Sequence, residues 1–289
     1  MIKKAIILCG GTGSRMFPAT KTTNKQLLPV YDKPMFYYPL SLLMLIGIKN
    51  FLFIINKGQK ENFLRSIGST KDLGIKIEFK EQERPNGLPE AFILGEEFIG
   101  KESVLMILGD NFFYGNMLSP VIKSSLSIKS GANIYLYPSK NTSSYGVVEL
   151  KKNGEINKII EKPIFTKSNL VITGMYIFDN NVVKYAKKLK PSKRNELEMV
   201  DLINVYKKKG NLNLVKLGRG SAWLDVGNYD DLFSASSFIK NIEDRQDYKI
   251  GCIEEIALNN KWINKHNIKN RIKFNKNSNY SKYLAGLIK

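Results

Sequence analysis

Lys3-Lys4-Ala5-Ile6-Ile7-Leu8-Cys9-Gly10-Gly11-Thr12-Gly13-Ser14-Arg15 opens the chain and decides its fold class. Residues 5–9 are apolar without alternation, the pattern of a strand buried on both faces. The run then meets three glycines in four positions. A glycine-rich turn after a first strand is a common seat of bound phosphate, because a backbone without Cβ atoms lets N–H groups approach the oxygens. Two familiar versions fail. The dinucleotide fingerprint needs a third glycine where Met16 stands, and the P-loop ending Gly-Lys-Ser/Thr is absent. What remains is a glycine turn with Arg15 inside it and Lys25-Gln26 ten residues on. An amide cradle flanked by two cations suits a triphosphate whose leaving pyrophosphate must be stabilised. As a signal peptide the same stretch fails, since its apolar run is shorter than the roughly 7–15 residues required.

Further along, apolar runs at 51–55, 75–79 and 104–108 repeat the buried-strand pattern, and helical patterns at 39–48, 59–67 and 88–98 lie between them. Such alternation predicts an α/β fold, Rossmann-like, with a mostly parallel mixed sheet flanked by helices. Strands follow at 133–137, 147–150 and 156–160, the last two joined by an Asn153-Gly154 turn, then at 171–178, 212–217 and 222–226. Helices are expected at 181–189, 198–208 and 229–243. After residue 244 the chain is Lys/Asn-rich and irregularly helical, so the expected division is an α/β domain over 1–243 and a small helical extension over 244–289 packed on it. The segment 39–48 is apolar nearly all round, which means deep burial or a subunit contact.

Composition narrows the chemistry. The 289 residues are 43% hydrophobic and 25% charged, ordinary globular usage. The two cysteines, Cys9 and Cys252, permit neither a disulfide framework nor a four-cysteine zinc site. A single histidine, His266, argues against His-rich metal sites and histidine-dependent hydrolases. Catalysis must run on carboxylates, Lys, Arg and a hard cation. The net charge of +19 admits a nucleic-acid-binding protein as a competing class, but the excess is spread, as in Lys207-Lys208-Lys209-Gly210-Asn211, with no basic stripe interleaved with aromatics. The longest apolar stretch falls far short of the ~20 residues of a membrane span. The reading is a cytoplasmic protein partnered by neither nucleic acid nor membrane.

Two aspartates follow short apolar strands, in Leu108-Gly109-Asp110-Asn111 and in Ala222-Trp223-Leu224-Asp225-Val226-Gly227. A carboxylate there sits at the carboxyl edge of the sheet, where open α/β folds bind ligands. Two such groups suit one Mg²⁺, which takes few carboxylates and completes its shell with phosphates and water. Alone, each aspartate reads equally as a helix cap or turn former. Tyr145-Gly146-Val147-Val148-Glu149 and Glu161-Lys162-Pro163 bracket the hairpin. There Lys162 could hold an anion and Glu161 could accept sugar hydroxyls.

Taken in order, these segments resemble the glucose-1-phosphate thymidylyltransferase family of sugar nucleotidyltransferases. The resemblance is carried by Gly-Gly-x-Gly-x-Arg, Lys25-Gln26-Leu27-Leu28-Pro29, Asp32-Lys33-Pro34-Met35, Tyr37-Tyr38-Pro39-Leu40, Leu108-Gly109-Asp110-Asn111, Tyr145-Gly146-Val147, Glu161-Lys162-Pro163, Thr173-Gly174, Glu196-Leu197-Glu198 and Trp223-Leu224-Asp225. It implies transfer of a thymidylyl group from dTTP to glucose 1-phosphate, the first step toward dTDP-deoxysugars such as rhamnose. Uridylyl or cytidylyl transfer to another sugar phosphate is the alternative. By matching positions, Arg15, Lys25, Asp110 and Lys162 are implied as catalytic. Gly10, Gly11, Thr12, Gly13, Gln26, Gln82, Gly87 and Leu88 would bind the nucleotide. Asn111, Tyr145, Gly146, Glu161, Lys162, Ile172 and Tyr176 would hold the sugar phosphate, and Asp110 and Asp225 would hold Mg²⁺. The resemblance further implies a homotetramer and a second site for an inhibitory dTDP-sugar end product, with Gly115, Gly218, Arg219, Glu255 and Ile256 at matching positions. Ser119 and Asn259 stand there where relatives often place His and Arg.

Overall fold

The computed structural model describes residues 1–273 and 275–289, and these described residues build thirteen strands and eleven α-helices. The strands are β1 (Lys4–Cys9), β2 (Pro29–Val30), β3 (Lys33–Pro34), β4 (Asn50–Asn56), β5 (Lys76–Gln82), β6 (Val104–Leu108), β7 (Asn111–Tyr114), β8 (Ala132–Pro138), β9 (Gly146–Leu150), β10 (Ile156–Glu161), β11 (Leu170–Phe178), β12 (Leu212–Lys216) and β13 (Ala222–Asp225). The helices are α1 (Tyr37–Leu45), α2 (Lys60–Ile67), α3 (Glu90–Leu94), α4 (Glu96–Ile99), α5 (Leu118–Ser125), α6 (Asn181–Ala186), α7 (Met199–Lys208), α8 (Tyr229–Gln246), α9 (Ile253–Asn259), α10 (Lys265–Ile272) and α11 (Asn279–Gly286).

The main sheet runs β10-β9-β11-β6-β1-β4-β5, with β8 against β11 and β12 against β8. From β6 to β5 every pairing is parallel, while β11 runs antiparallel to β6, β8 and β9. β1 shows why the opening residues had to be a central strand. Ala5, Ile7 and Cys9 enter the core on one face, and Ile6 and Leu8 pack into the core on the other. On the first face lie α1, α2 and α5; on the second lie α3, α6 and α7. The apolar segment at 39–48 resolves to deep burial, since Tyr37 through Met44 are all buried in α1 and only Leu45 emerges. The first helix of the C-terminal region shares that core, through Ile253, Ile256 and Ala257 of α9, and α10 and α11 close a smaller cluster around Cys252, Ile268 and Leu284.

One expectation is revised. The helix expected over 88–98 is two, α3 and α4, interrupted at Gly95. A Cβ at Gly95 would stand 2.9 Å from the Ala91 carbonyl oxygen and 3.1 Å from both Ile6 and Leu52, so the break lets the backbone sit directly on the sheet. The residues after Asp110 form a further strand, for which the sequence reading held no expectation. β7 pairs with β13 in a separate two-stranded ribbon whose register sets Asp225 opposite Asn111.

Candidate active site

The parallel register aligns the carboxyl ends of β1, β4, β5 and β6. Leu8 pairs with Leu108, Cys9 with Ile55, and Asn56 with Gln82. A cleft opens at that edge and encloses about 320 Å³, within the ~300–1,000 Å³ typical of small-molecule sites. Of the sequence-predicted residues, Gly10, Gly11, Arg15, Gln82, Gly87, Leu88, Asp110, Asn111, Tyr145, Gly146, Glu161, Lys162, Ile172, Tyr176 and Asp225 all line it.

Asn111 organises the centre. Buried at 1% exposure, its amide donates to Asp110 Oδ1 and to Asp225 Oδ1, each at 3.1 Å. Its own Oδ1 accepts from Trp223 Nε1 at 2.6 Å and from the Gly174 amide at 3.1 Å. Gly174 must lack a side chain, since a Cβ there would fall 2.5 Å from Asn111 Oδ1. One amide thus holds two carboxylates, Asp110 from the link between β6 and β7 and Asp225 from the end of β13. Burial first, then the neighbouring Asp110 charge, pushes the Asp225 carboxyl up to about 7, against the pull of Lys25 and Arg15. Two carboxylates crowded in this way form an all-oxygen donor set that suits a hard divalent cation. Among the described residues no cluster of three or more His, Cys, Asp or Glu converges as a metal site, so further ligands would come from substrate and water.

Lys25 stands behind this centre rather than in the cleft lining. Its Nζ meets Asp110 Oδ2 at 2.6 Å, with 10% of the lysine side chain exposed. Arg15 is exposed, and its guanidinium lies over Gly227, two residues past Asp225. The segment carrying Arg15 is fastened from both sides. Thr20 Oγ1 donates to the Gly13 carbonyl at 2.9 Å, and the Tyr229 hydroxyl donates to the Met16 carbonyl at 2.8 Å while accepting from the Ala19 amide at 3.4 Å.

Four predicted nucleotide contacts, Gly11, Thr12, Gly13 and Gln26, differ from the expected amide cradle. Gly11, at φ 108°, donates its N–H to Asn56 Oδ1 at 3.0 Å and accepts from Asn56 Nδ2 at 2.7 Å, so both of its backbone groups are taken. Thr12 and Gly13 lie outside the cleft lining; Gly13 packs on Thr20 and starts a short 3₁₀ turn over Ser14–Met16. Gln26 is buried beneath the floor, against Gly109, with Oε1 unpartnered among the described residues.

At the far end, Glu161 closes β10 and Lys162 follows it, with the Lys162 amide donating to the Tyr145 carbonyl at 3.0 Å. Burial raises the Glu161 carboxyl above its ordinary range, and Glu198 adds to it. Arg194, which sequence reasoning did not single out, bridges both acids. Its Nη2 lies 3.1 Å from Glu161 Oε1 and 2.6 Å from Glu198 Oε2, and its Nε donates to Glu198 Oε1 at 3.1 Å. Trp223 was likewise missed as a site residue. It lines the cleft and packs edge-on to Tyr145 at a 5.0 Å centroid distance. Gly87 and Gly146 bring the two ends together. A Cβ on Gly87 would strike the Leu197 carbonyl oxygen at 2.1 Å, and one on Gly146 would meet Val200 at 2.8 Å.

A second cleft lies between α1, β7 and α9. Gly115, Ser119, Glu255, Ile256 and Asn259 line it, whereas Gly218 and Arg219 stay outside, on the exposed turn that contributes Gly220.

Residues 4–242 match the family described as Nucleotidyl transferase. Over 286 residues the chain is 44% identical to a glucose-1-phosphate thymidylyltransferase of Neisseria meningitidis serogroup A, covering 99% of both. It is 41% identical over 285 residues to the one of Mycobacterium tuberculosis strain H37Rv, again covering 99% of both. A Bacillus anthracis chain solved in complex with a sucrose superposes with TM-score 0.77 at 34% identity, covering 87% of this chain and 98% of that one. A UDP-glucose pyrophosphorylase complexed with UDP-glucose, at 24% identity and TM-score 0.71 over 84% of this chain and all of that one, shares the fold.

Proposed function

The chain belongs to the nucleotidyl transferase family and within it to the glucose-1-phosphate thymidylyltransferases, and from that premise we propose that it makes dTDP-glucose and pyrophosphate from dTTP and glucose 1-phosphate. The observation that carries the reading is a single cleft with an Asn111-bridged carboxylate pair at its centre, Arg15 beside the glycine turn at one end, and Lys162 and Arg194 at the other. Nucleotide and sugar phosphate are both anions, so cations at opposite ends and a cation-binding centre between them answer the repulsion that opposes their meeting.

A phosphate oxygen of glucose 1-phosphate attacks the α-phosphorus of dTTP in line, and the bond from that phosphorus to the bridging oxygen of the β-phosphate breaks. A phosphate anion is already a competent nucleophile, so no histidine is required. Lys162 and Arg194 hold the sugar phosphate, while Glu161, Asn111, Tyr145 and Tyr176 with the backbone at Gly146 and Ile172 surround the sugar. Arg15 takes up charge on the departing pyrophosphate. Lys25 stabilises the reacting phosphates and keeps Asp110 oriented. Gln82, Gly87 and Leu88 flank the base. Asp110 and Asp225 fit Mg²⁺, which when bound supplies charge neutralisation at the phosphates.

Pyrophosphate release from dTTP plus glucose 1-phosphate, with and without Mg²⁺, tests the reading. Release that needs both substrates and stops in excess chelator is expected. No release sinks the assignment, and faster release from UTP or CTP moves it to uridylyl or cytidylyl transfer.

A further inference from the structure

Asn56 is the last residue of β4 and sits one position beyond the Cys9↔Ile55 pairing, level with the start of the glycine turn. Its side-chain amide grips the backbone of Gly11 twice, accepting from the N–H at 3.0 Å and donating to the carbonyl at 2.7 Å. Only one orientation of the amide satisfies both groups, because an N–H needs an acceptor and a carbonyl needs a donor. Which atom is Oδ1 is therefore fixed by chemistry rather than by choice.

That fixed oxygen has a second neighbour. Asn56 and Gln82 are register partners on adjacent parallel strands, so their side chains share a face of the sheet. Gln82 Nε2 donates to Asn56 Oδ1 at 3.4 Å. With its NH₂ committed to Asn56, Gln82 must carry its Oε1 on the other side of the amide. No protein group among the described residues donates to that oxygen, and Gln82, 7% exposed, lines the cleft. Gly10 leaves room for the amide to lie against the backbone, since a Cβ there would come within 2.2 Å of Nε2 and 2.8 Å of Oε1. The cleft is thus presented with a bare acceptor whose direction is set two residues away.

Pyrimidine bases differ at the atom such an acceptor reads. Thymine and uracil carry an N3–H donor, whereas cytosine carries a bare N3 lone pair. We propose that Asn56 is the positioning residue for base selection: it locks the Gln82 amide with its oxygen toward the base, admitting nucleotides with an N3–H donor and refusing cytidine nucleotides. The inference rests on the reading that Gln82 flanks the base. A buried acceptor facing a lone pair loses its hydrogen bond, and the expected discrimination is roughly ten- to hundredfold.

The test is the ratio of dissociation constants for dCTP and dTTP, measured by calorimetry with Mg²⁺ on the full chain. In the wild-type protein the ratio is expected to exceed tenfold. Asn56→Ala frees Gln82 to turn over, and the ratio should collapse toward one. Asn56→Ser, too short to reach Gln82, should do the same and serves if the alanine variant does not fold. Asn56→Asp keeps the acceptor for Gln82 Nε2, so the ratio should be retained even if both nucleotides bind more weakly. A wild-type ratio near one, an unchanged ratio in the alanine or serine variant, or collapse in the aspartate variant overturns the proposal. Failure of the wild-type protein to release pyrophosphate, with the ratios behaving as stated, removes the reaction and leaves the base selection standing.

Discussion

Lys25 and Asp110 meet at 2.6 Å where little solvent reaches either, so the pair is a charge-assisted contact held in a low-dielectric setting. In the proposed reaction the lysine serves twice, as charge for the phosphates and as the group that keeps Asp110 turned toward Asp225. Removing such a preorganised donor costs about 10²–10³ in rate. Lys25→Ala and Arg15→Ala are each expected to lower kcat/KM by at least that factor, and near-wild-type steady-state turnover in either would take that residue out of the mechanism. Asp225 makes a prediction about stability. Its carboxyl titrates at about 7 in the metal-free fold, against about 3.9 in an unfolded chain. Below the unfolded value both states are protonated. As pH rises toward 7 the unfolded chain releases its proton while the folded one retains it, so stability contributed by this group is lost across that window. Urea unfolding of metal-free protein between pH 4 and 8 should show that loss, and Asp225→Asn should reduce it. An unaltered profile in the variant would place the pH dependence elsewhere.

The loop bearing Arg15 depends on α8 for its position. Tyr229, in the first turn of α8, ties down both Met16 and Ala19, and Asn228 caps the same helix by accepting from the Asp231 amide at 3.0 Å. One helix start therefore fixes the Arg15 loop and follows directly on the Asp225 strand. Tyr229→Phe removes the hydroxyl and keeps the ring. A hydrogen bond worth about 0.5–1.5 kcal/mol corresponds to a roughly two- to twelvefold rise in KM for dTTP, with KM for glucose 1-phosphate unmoved. Equal changes in both would show a global effect instead. At this scale it is also clear what the sequence could disclose. β1, β4 and β6 are buried on both faces, so their unbroken apolar runs were readable directly. β5 is an edge strand, and its charged residues hid its true end at Gln82. β13 was readable as the apolar run at 222–226, whereas β7 was not, since its four residues are held as a strand by pairing with β13 over a separation no local pattern encodes. The site divides the same way. Gly10, Arg15, Asp110, Asp225 and Glu161-Lys162 lie at or just past strand ends within short motifs and were legible as cleft residues, whereas the turn from Gly11 to Gly13 does not form the expected cradle. Asn56, Arg194 and Trp223 act on partners 45, 33 and 112 residues away, so their roles depend on contacts that short motifs do not encode. The polar Asn56 closing an otherwise apolar strand was the one available hint.

Across the whole molecule, the two clefts share a wall. β7 places Asn111 at the centre of the first and contributes Phe112 through Tyr114 to the second. A ligand that shifts β7 from the second cleft acts on the amide that spaces Asp110 and Asp225, which gives a physical route for the end-product inhibition expected from the family resemblance. Effectiveness then depends on affinity at the second cleft. Asn259 lines it without a charge, Ser119 offers only a hydroxyl, and Arg219 stands outside on an exposed turn. The lining does contain Lys249, but that amine is engaged by Asp32 at 2.7 Å and Glu243 at 2.6 Å. A diphosphate held without a free guanidinium lacks the paired, charge-assisted contact that Arg supplies. Inhibition by dTDP-rhamnose is accordingly expected to be weak, and Asn259→Arg is expected to tighten it roughly ten- to hundredfold, the worth of one hydrogen bond to a charged group. Titrating dTDP-rhamnose against both proteins at fixed substrate concentrations decides the matter. Tight inhibition of the wild-type protein, unchanged by Asn259→Arg and abolished by Arg219→Ala, would mean that the exposed turn folds onto the ligand and supplies the missing cation.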